Sequence, residues 1–551
     1  MAKQKKEIKE KAIEVTLWEA ANKLRGSVEP AEYKHVVLGL IFLKFASDKF
    51  EEHRQKLIDE GQEKYIEMAD FYNMSNIFFL EETSRWSYLI KRAKQNDIAL
   101  LIDTALHTIE KNNKALRGAL PDNYFSRLGL DVTKLASLLD TINDIDTTKD
   151  PKHDVVGKVY EYFLSKFALA EGKGKGEFYT PKSIVNLIAE MIEPYKGIIY
   201  DPACGSGGMF VQSIKFIEAH HGNQKEVSIY GQEYTKTTYK LAKMNLAIRG
   251  ISANLGEKDA DTFADDQHKD LKADYIMANP PFNQKDWRGE NELIDDPRWR
   301  GYDVPPKSNA NYGWILNMVS KLSENGIAGF ILANGALSGG GEEYKIRRKL
   351  IENNLVEAIL VLPRNLFYTT DISVTLWILN KNKKACVRAN DYSPQRNYRE
   401  REKEILFMDL RQLGEPFEKK FTQFSDADIQ KVTSTYHQWQ SCLNYDSSDS
   451  LDENDLMKIK SKNHSNQKNH SSDYMDVPEF CYSASFDEVA KKDFSLVPSK
   501  YIEFVNRDEN IDFDEKMQTL QNEFADLLKA EATSKNDLLT VFKELGYEIK
   551  L

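Results

Sequence analysis

The chain has 551 residues, 41% hydrophobic and 29% charged, which excludes a disordered tail or a fibrous repeat; at about 100 to 200 residues per domain it should form roughly three or four units. With 75 Lys and Arg against 86 Asp and Glu the net charge is −11, so a polyanion can be held only by a local patch or by a partner. The longest apolar stretch, residues 36–43, is far short of the ~20 residues that span a bilayer, the charged N-terminus is no secretory signal, and Cys204, Cys386, Cys442 and Cys481 lie too far apart for a disulfide framework or a metal clip. A cytoplasmic protein with no membrane attachment and no bound metal is expected.

Residues 1–150 read as a helical domain, with Val36, Val37, Leu40 and Ile41 spaced for one helix face. From there to about residue 380 short apolar strands alternate with amphipathic helices. The predicted strands are 197–200, 227–230, 274–278, 327–333, 358–362 and 374–379, and the intervening helices show Phe210, Ile214 and Ile217, then Leu241, Ala242 and Leu246, at helical spacing. This alternation predicts an α/β fold around a parallel sheet, assigned to residues 151–480. Beyond 380 the pattern weakens, and 446–476 is so rich in Ser, Asn, Asp, Lys and His that it reads as a mobile loop or linker. The remaining residues, 481–551, are read as a C-terminal segment in which Met517, Leu520, Phe524 and Leu527 mark one amphipathic helix in search of a partner face.

The strongest local signal is DPACGSGGM at 201–209, which follows the first strand and opens a helix. Gly205, Gly207 and Gly208 permit a tight turn and close ligand approach, and with Asp201 and Ser206 the loop suits a nucleotide-like ligand at a helix N-terminus. It is neither a GxGxxG nor a Walker loop. Glu233 ends the second strand, where an acid accepts hydrogen bonds from ribose hydroxyls; a solvated surface acid is the alternative. Asp261 is a candidate for an adenine amino group, in competition with Asp259, Asp265 and Asp266. Upstream, residues 172–176 (GKGKG) read as a mobile loop or a phosphate contact. They precede Glu177, Phe178, Tyr179, Thr180, Pro181 and Lys182, whose aromatic rings can pack on a cofactor, whose Thr can bond its carboxylate, and whose Pro can start a helix.

Asn279, Pro280, Pro281 and Phe282 directly follow the strand 274–278. The prolines force a rigid, extended backbone, so the Asn side-chain oxygen and the Pro280 carbonyl form a fixed pair of acceptors for both hydrogens of a planar exocyclic amine. Phe282 then serves as a stacking platform, and no general base is required.

Taken in order, GEFYTP, DPACGSGGM, GQE and NPPF resemble the motifs of the adenine-specific DNA methyltransferases, specifically the modification subunit of type I restriction-modification systems. The resemblance runs from about residue 17 to about 380. It implies a Rossmann-like S-adenosylmethionine-dependent methyltransferase domain with a helical N-terminal domain and a C-terminal helical tail. It also implies that Glu177 to Lys182, Ser206 to Gly208 and Glu233 bind S-adenosylmethionine, and that Asn279, Pro280 and Phe282 receive an adenine extruded from duplex DNA. Two such subunits would join one specificity subunit, and restriction/translocase subunits would complete the complex. Trp287, Arg288, Trp299 and Arg300 either contact the DNA strand or are ordinary buried tryptophans and surface arginines. A free-standing adenine methyltransferase, a methyltransferase acting on a protein glutamine amide or an RNA base, and a non-catalytic cofactor-binding scaffold are the rival readings.

Overall fold

The computed structural model describes residues 30–75, 77–145, 180–367, 371–384, 386–390, 393–417, 420–441, 474–505 and 513–544, with Trp18, 161–163 and Lys166. The chain divides into two compact units, Met1–Ile502 and Glu503–Leu551.

The first unit begins with helices, chiefly α1 (Pro30–Asp59), α2 (Ile98–Asn112) and α3 (Val132–Asn143). The apolar run 36–43 lies in α1 and is buried on every side, not along the single face predicted, which makes α1 the central helix of this region. Asp103 of α2 organises the loop beyond it: its carboxylate accepts the N–H groups of Tyr124, Phe125 and Ser126, donors that a helix start leaves without partners.

The sheet part of the unit is built from α4 (Lys182–Ile192), β1 (Gly197–Asp201), α5 (Gly208–Ala219), β2 (Val227–Gly231), α6 (Lys236–Ile248), β3 (Ala253–Asn254) and β4 (Ala273–Ala278). It continues through α7 (Asn311–Lys321), β5 (Leu322–Ala333), α8 (Gly341–Glu352), β6 (Val356–Val361), β7 (Val374–Asn380), β8 (Glu404–Asp409), α9 (Asp426–Gln440) and β9 (Cys481–Ser485). The strands form one nine-stranded sheet in the order β9-β8-β6-β7-β5-β4-β1-β2-β3. All six predicted strands are present.

The sheet departs from the parallel expectation twice. β7 runs antiparallel between β5 and β6, because no helix intervenes after β6 to carry the chain back for a parallel strand. β9 is an antiparallel edge strand on β8, with Ile405 opposite Ala484 and Phe407 opposite Tyr482. Alternate side chains serve opposite cores: Ala358 and Leu360 face the one that includes α4, α5 and α9, and Ile359 faces the one that includes α7 and α8.

The reading of 481–551 as one C-terminal segment needs correction. Residues 481–485 complete the sheet, and Leu496, Tyr501 and Ile502 are buried in its core, with the Phe407 and Tyr501 rings stacked at 4.0 Å. The second unit begins at Glu503, and its helix α10 (Phe513–Glu544) contains the amphipathic pattern expected there. The predicted linker 446–476 lies outside the described residues except at 474–476, where Tyr474 is buried and donates to Asp476.

α6 joins the helical and sheet regions. Leu241, Met244 and Ile248 enter the helical core while Tyr239, Ala242 and Leu246 enter the sheet core. Lys240 and Lys243 donate to the carbonyls of Leu120 and Arg117 at 2.8 and 3.0 Å.

Candidate active site

Parallel pairing brings the motifs to one edge. Tyr200 of β1 pairs with Ile276 of β4 and Asp201 pairs with Gly231 of β2, so Asp201, Glu233 and Asn279 all leave the sheet at the carboxyl ends of neighbouring strands.

The glycine loop is pinned from below. The N–H of Gln232 donates to the Asp201 carbonyl and that of Cys204 to the Gln232 carbonyl, both at 3.0 Å. Gly205 and Gly207 have φ of 53° and 79°, the left-handed region that favours glycine. A β-carbon on Gly205 or Gly208 would meet only open space, which is the room a ligand needs to approach the backbone where α5 begins. Asn245 of α6 donates to the Ser206 carbonyl at 2.7 Å. Its only sequence signal is a polar residue inside the apolar stripe of α6, and it was not singled out.

Asp201 is buried and accepts the Ala203 N–H at 2.9 Å. Burial pushes its carboxyl up to about 8, the Ala203 bond opposes the shift, and the nearby Glu233 adds to it. Glu233 is half-buried and both its oxygens are oriented by backbone: Oε2 accepts the Gly205 N–H at 3.1 Å and Oε1 that of Thr235 at 2.8 Å. Each carboxylate oxygen has capacity for a further donor, such as a hydroxyl.

Asp261 starts a short turn, its Oδ1 accepting the N–H groups of Phe263 and Ala264. Two of its rivals are engaged elsewhere: Asp265 pairs with Lys258 at 3.0 Å and Asp266 with buried Lys321 at 2.7 Å. The turn is tied to the glycine loop by Thr262, whose hydroxyl donates to the Pro202 carbonyl at 2.6 Å. Arg298 clamps its other side, donating to the carbonyls of Thr262 and Phe263 at 2.7 Å each while paired with Asp296.

Asn279 is 9% exposed and follows the last residue of β4. Its Nδ2 donates to Thr180 Oγ1 at 2.9 Å, whereas its Oδ1 is buried with no hydrogen-bond partner among the described residues. This contact across 99 residues of chain unites the N-P-P-F and E-F-Y-T-P-K segments at one point. Glu177, Phe178 and Tyr179 lie outside the described residues; Pro181 precedes α4 and Lys182 begins it. Pro280 is buried, Pro281 and Phe282 are half-buried, and the Phe282 ring meets Phe367 edge to face at 6.0 Å. Beside Thr180 a small cleft, open to solvent, is lined by Lys182, Ser206, Gly208 and Asn245, with Glu161, Val185, Val211 and Gln212 beyond them.

Trp287 and Trp299 resolve toward the ordinary alternative. Both are buried around Phe263, their indole N–H groups donating to the carbonyls of Pro306 and Leu293. Arg288 donates to the Pro305 carbonyl and Arg300 is exposed. Among the described residues no group of three His, Cys, Asp or Glu side chains is placed to hold a metal ion, and no helix is long and apolar enough to cross a membrane.

The sheet order, with its antiparallel seventh strand and a glycine loop after β1, is that of a Rossmann-like methyltransferase. Residues 151–510 match the N-6 DNA methylase family and residues 13–142 the HsdM N-terminal domain. The chain belongs to the N-6 DNA methylase family, among the methylase subunits of type I restriction enzymes. It is 41% identical to the HindI methylase subunit of Haemophilus influenzae over 83% of this chain and 94% of that one. With the MjaIX methylase subunit of Methanocaldococcus jannaschii it shares 33% identity, over 97% and 92% of the two chains. Its fold matches the crystal structure of a type I methyltransferase subunit from Streptococcus thermophilus with a TM-score of 0.68 at 22% identity, covering 89% of this chain and 99% of that one.

Proposed function

We propose that this chain transfers a methyl group from S-adenosylmethionine to N6 of adenine in double-stranded DNA, as the modification subunit of a type I restriction-modification complex. The observation that carries the reading is the buried Asn279 amide, locked by Thr180 through its nitrogen and holding an acceptor oxygen without a partner among the described residues. A buried acceptor left unpaired is costly unless a ligand supplies its donor.

S-adenosylmethionine supplies, when bound, an electrophilic methyl group. The glycine loop admits its polar groups to the backbone, Glu233 accepts from its ribose hydroxyls, Asp261 faces its adenine, and Thr180 with Lys182 borders its amino-acid end. Glu177, Phe178 and Tyr179 complete that end. Asn279 Oδ1 and the Pro280 carbonyl accept hydrogen bonds from the two N–H groups of the target amine, which directs the nitrogen lone pair out of the ring system toward the methyl group. Phe282 stacks on the base once it has left the duplex. Acceleration comes from positioning and from these fixed dipoles.

The remaining assignments concern partners. Met517, Leu520, Phe524 and Leu527 are exposed along α10 and form the face proposed to dock on helices of a specificity subunit, two chains of this kind per specificity subunit, with restriction/translocase subunits joining them. DNA reading by that partner accounts for catalysis by a chain of net charge −11.

Asn279→Ala tests the catalytic reading. In the assembled complex, transfer of a labelled methyl group should fall by roughly 10² to 10³, the scale of one lost transition-state dipole, with S-adenosylmethionine affinity retained. Unchanged turnover would contradict the assignment.

A further inference from the structure

The residue after Phe282 has a conformation that most side chains avoid and that asparagine tolerates better than most. Asn283 lies at φ 51°, in the left-handed region, where a β-carbon crowds the following carbonyl. It is held there by Asn311, the first residue of α7 and 1% exposed. Asn311 Oδ1 accepts the Asn283 N–H at 3.0 Å, and Asn311 Nδ2 donates to Asn283 Oδ1 at 2.9 Å. Asn309 donates to the same Asn283 oxygen at 3.3 Å and accepts the Asn311 N–H at 3.0 Å, while the Ala310 N–H reaches the Gln284 carbonyl at 2.9 Å. The chain thus leaves the NPPF motif at 283, makes an excursion through 285–308, and returns to close on its own starting point.

We propose that Asn311 is a positioning residue of the target-base pocket: its paired hydrogen bonds to Asn283 hold the left-handed turn that presents Phe282 to the extruded adenine. The direction of the Phe282 side chain follows from the backbone on both sides of it. The turn at 283 is the side without a proline to stiffen it. A two-way amide pair does that work, anchored on the buried Asn311 side chain. The inference rests on the adenine-methylation reading and adds a residue that touches neither cofactor nor base.

The test uses the full chain assembled with its specificity subunit and a duplex carrying 2-aminopurine in place of the methylated adenine. For Asn311→Ala, calorimetric affinity for S-adenosylmethionine should be unchanged, the fluorescence rise that reports base extrusion and stacking should be reduced, and kcat should fall by roughly 10-fold to 100-fold, as for a small misplacement of a reacting group. Asn283→Gly supplies the turn without the brace, since glycine enters the left-handed region freely. It should retain more turnover than Asn283→Ala, and adding Asn311→Ala to it should cost less than in the wild type. A wild-type complex that methylates adenine, beside an Asn311→Ala complex with the same kcat and fluorescence, overturns this inference alone. Equal losses in cofactor affinity and base signal also overturn it, because they mark a general structural defect. A wild-type complex that transfers no methyl group to adenine overturns the catalytic reading and this inference with it.

Discussion

Asp201 and Asn279 leave adjacent strands at the same edge, and burial treats them differently. Asn279 is neutral and needs only a donor, whereas Asp201 is a carboxyl shut away from water beside Glu233 and held near a pKa of about 8. The sign of its effect on stability follows. A folded-state pKa above the ordinary carboxyl value means that the native state keeps a proton the unfolded chain releases, so the contribution of this carboxyl to stability is fully present below about pH 4 and is lost as pH rises toward about 8. Asp201→Asn removes that titration. Its melting temperature should therefore fall less than the wild type's between about pH 5 and about pH 8.5, as followed by circular dichroism, and parallel curves would contradict the assignment.

At the scale of elements, the far side of the sheet is held by buried charge. Glu357 of β6 is fully buried; its Oε1 accepts from Arg401 at 3.1 Å and from Gln440 of α9 at 2.9 Å. Lys383 donates nearby to the carbonyls of Val356 and Glu404. Glu357→Ala would leave Arg401 buried without its carboxylate partner and should cost about 3–5 kcal/mol, with Glu357→Gln costing less because it keeps a hydrogen-bonding group; denaturant unfolding measures both. This region was also the hardest to read from sequence. β1, β2 and β4 to β7 each carry a short, mostly apolar run, and such runs are visible one residue at a time. β9 is Cys-Tyr-Ser-Ala-Ser, and its strand character comes only from pairing with β8, a partner far away in sequence. β8 carries Ile405, Leu406, Phe407 and Met408 in a row, a signal that was present but was masked by the polar sequence around it. The glycine loop, Glu233 and the NPPF segment were legible because each follows a strand within a few residues. Asn245, Arg298 and Asn311 were not, because their roles are contacts to backbone carbonyls and amides supplied by other segments.

At the scale of the molecule, the first unit contains the sheet, the site and the helical core, joined through α6, and the second unit presents exposed Met517, Phe524 and Leu527 along a 32-residue helix. Truncation before Ile511 should therefore leave S-adenosylmethionine binding intact and abolish co-purification with the specificity subunit. Retention of the complex by the truncated chain would count against the docking role of α10.

The central claim, that this chain is the adenine-methylating arm of a complex whose partner reads DNA, is tested most directly by transfer of a labelled methyl group to duplex DNA. The chain should be assayed alone and with its genomically neighbouring specificity subunit, and the modified base identified. The account predicts N6-methyladenine only when the partner is present. Efficient methylation by the chain alone, or a label on any other base, would contradict it.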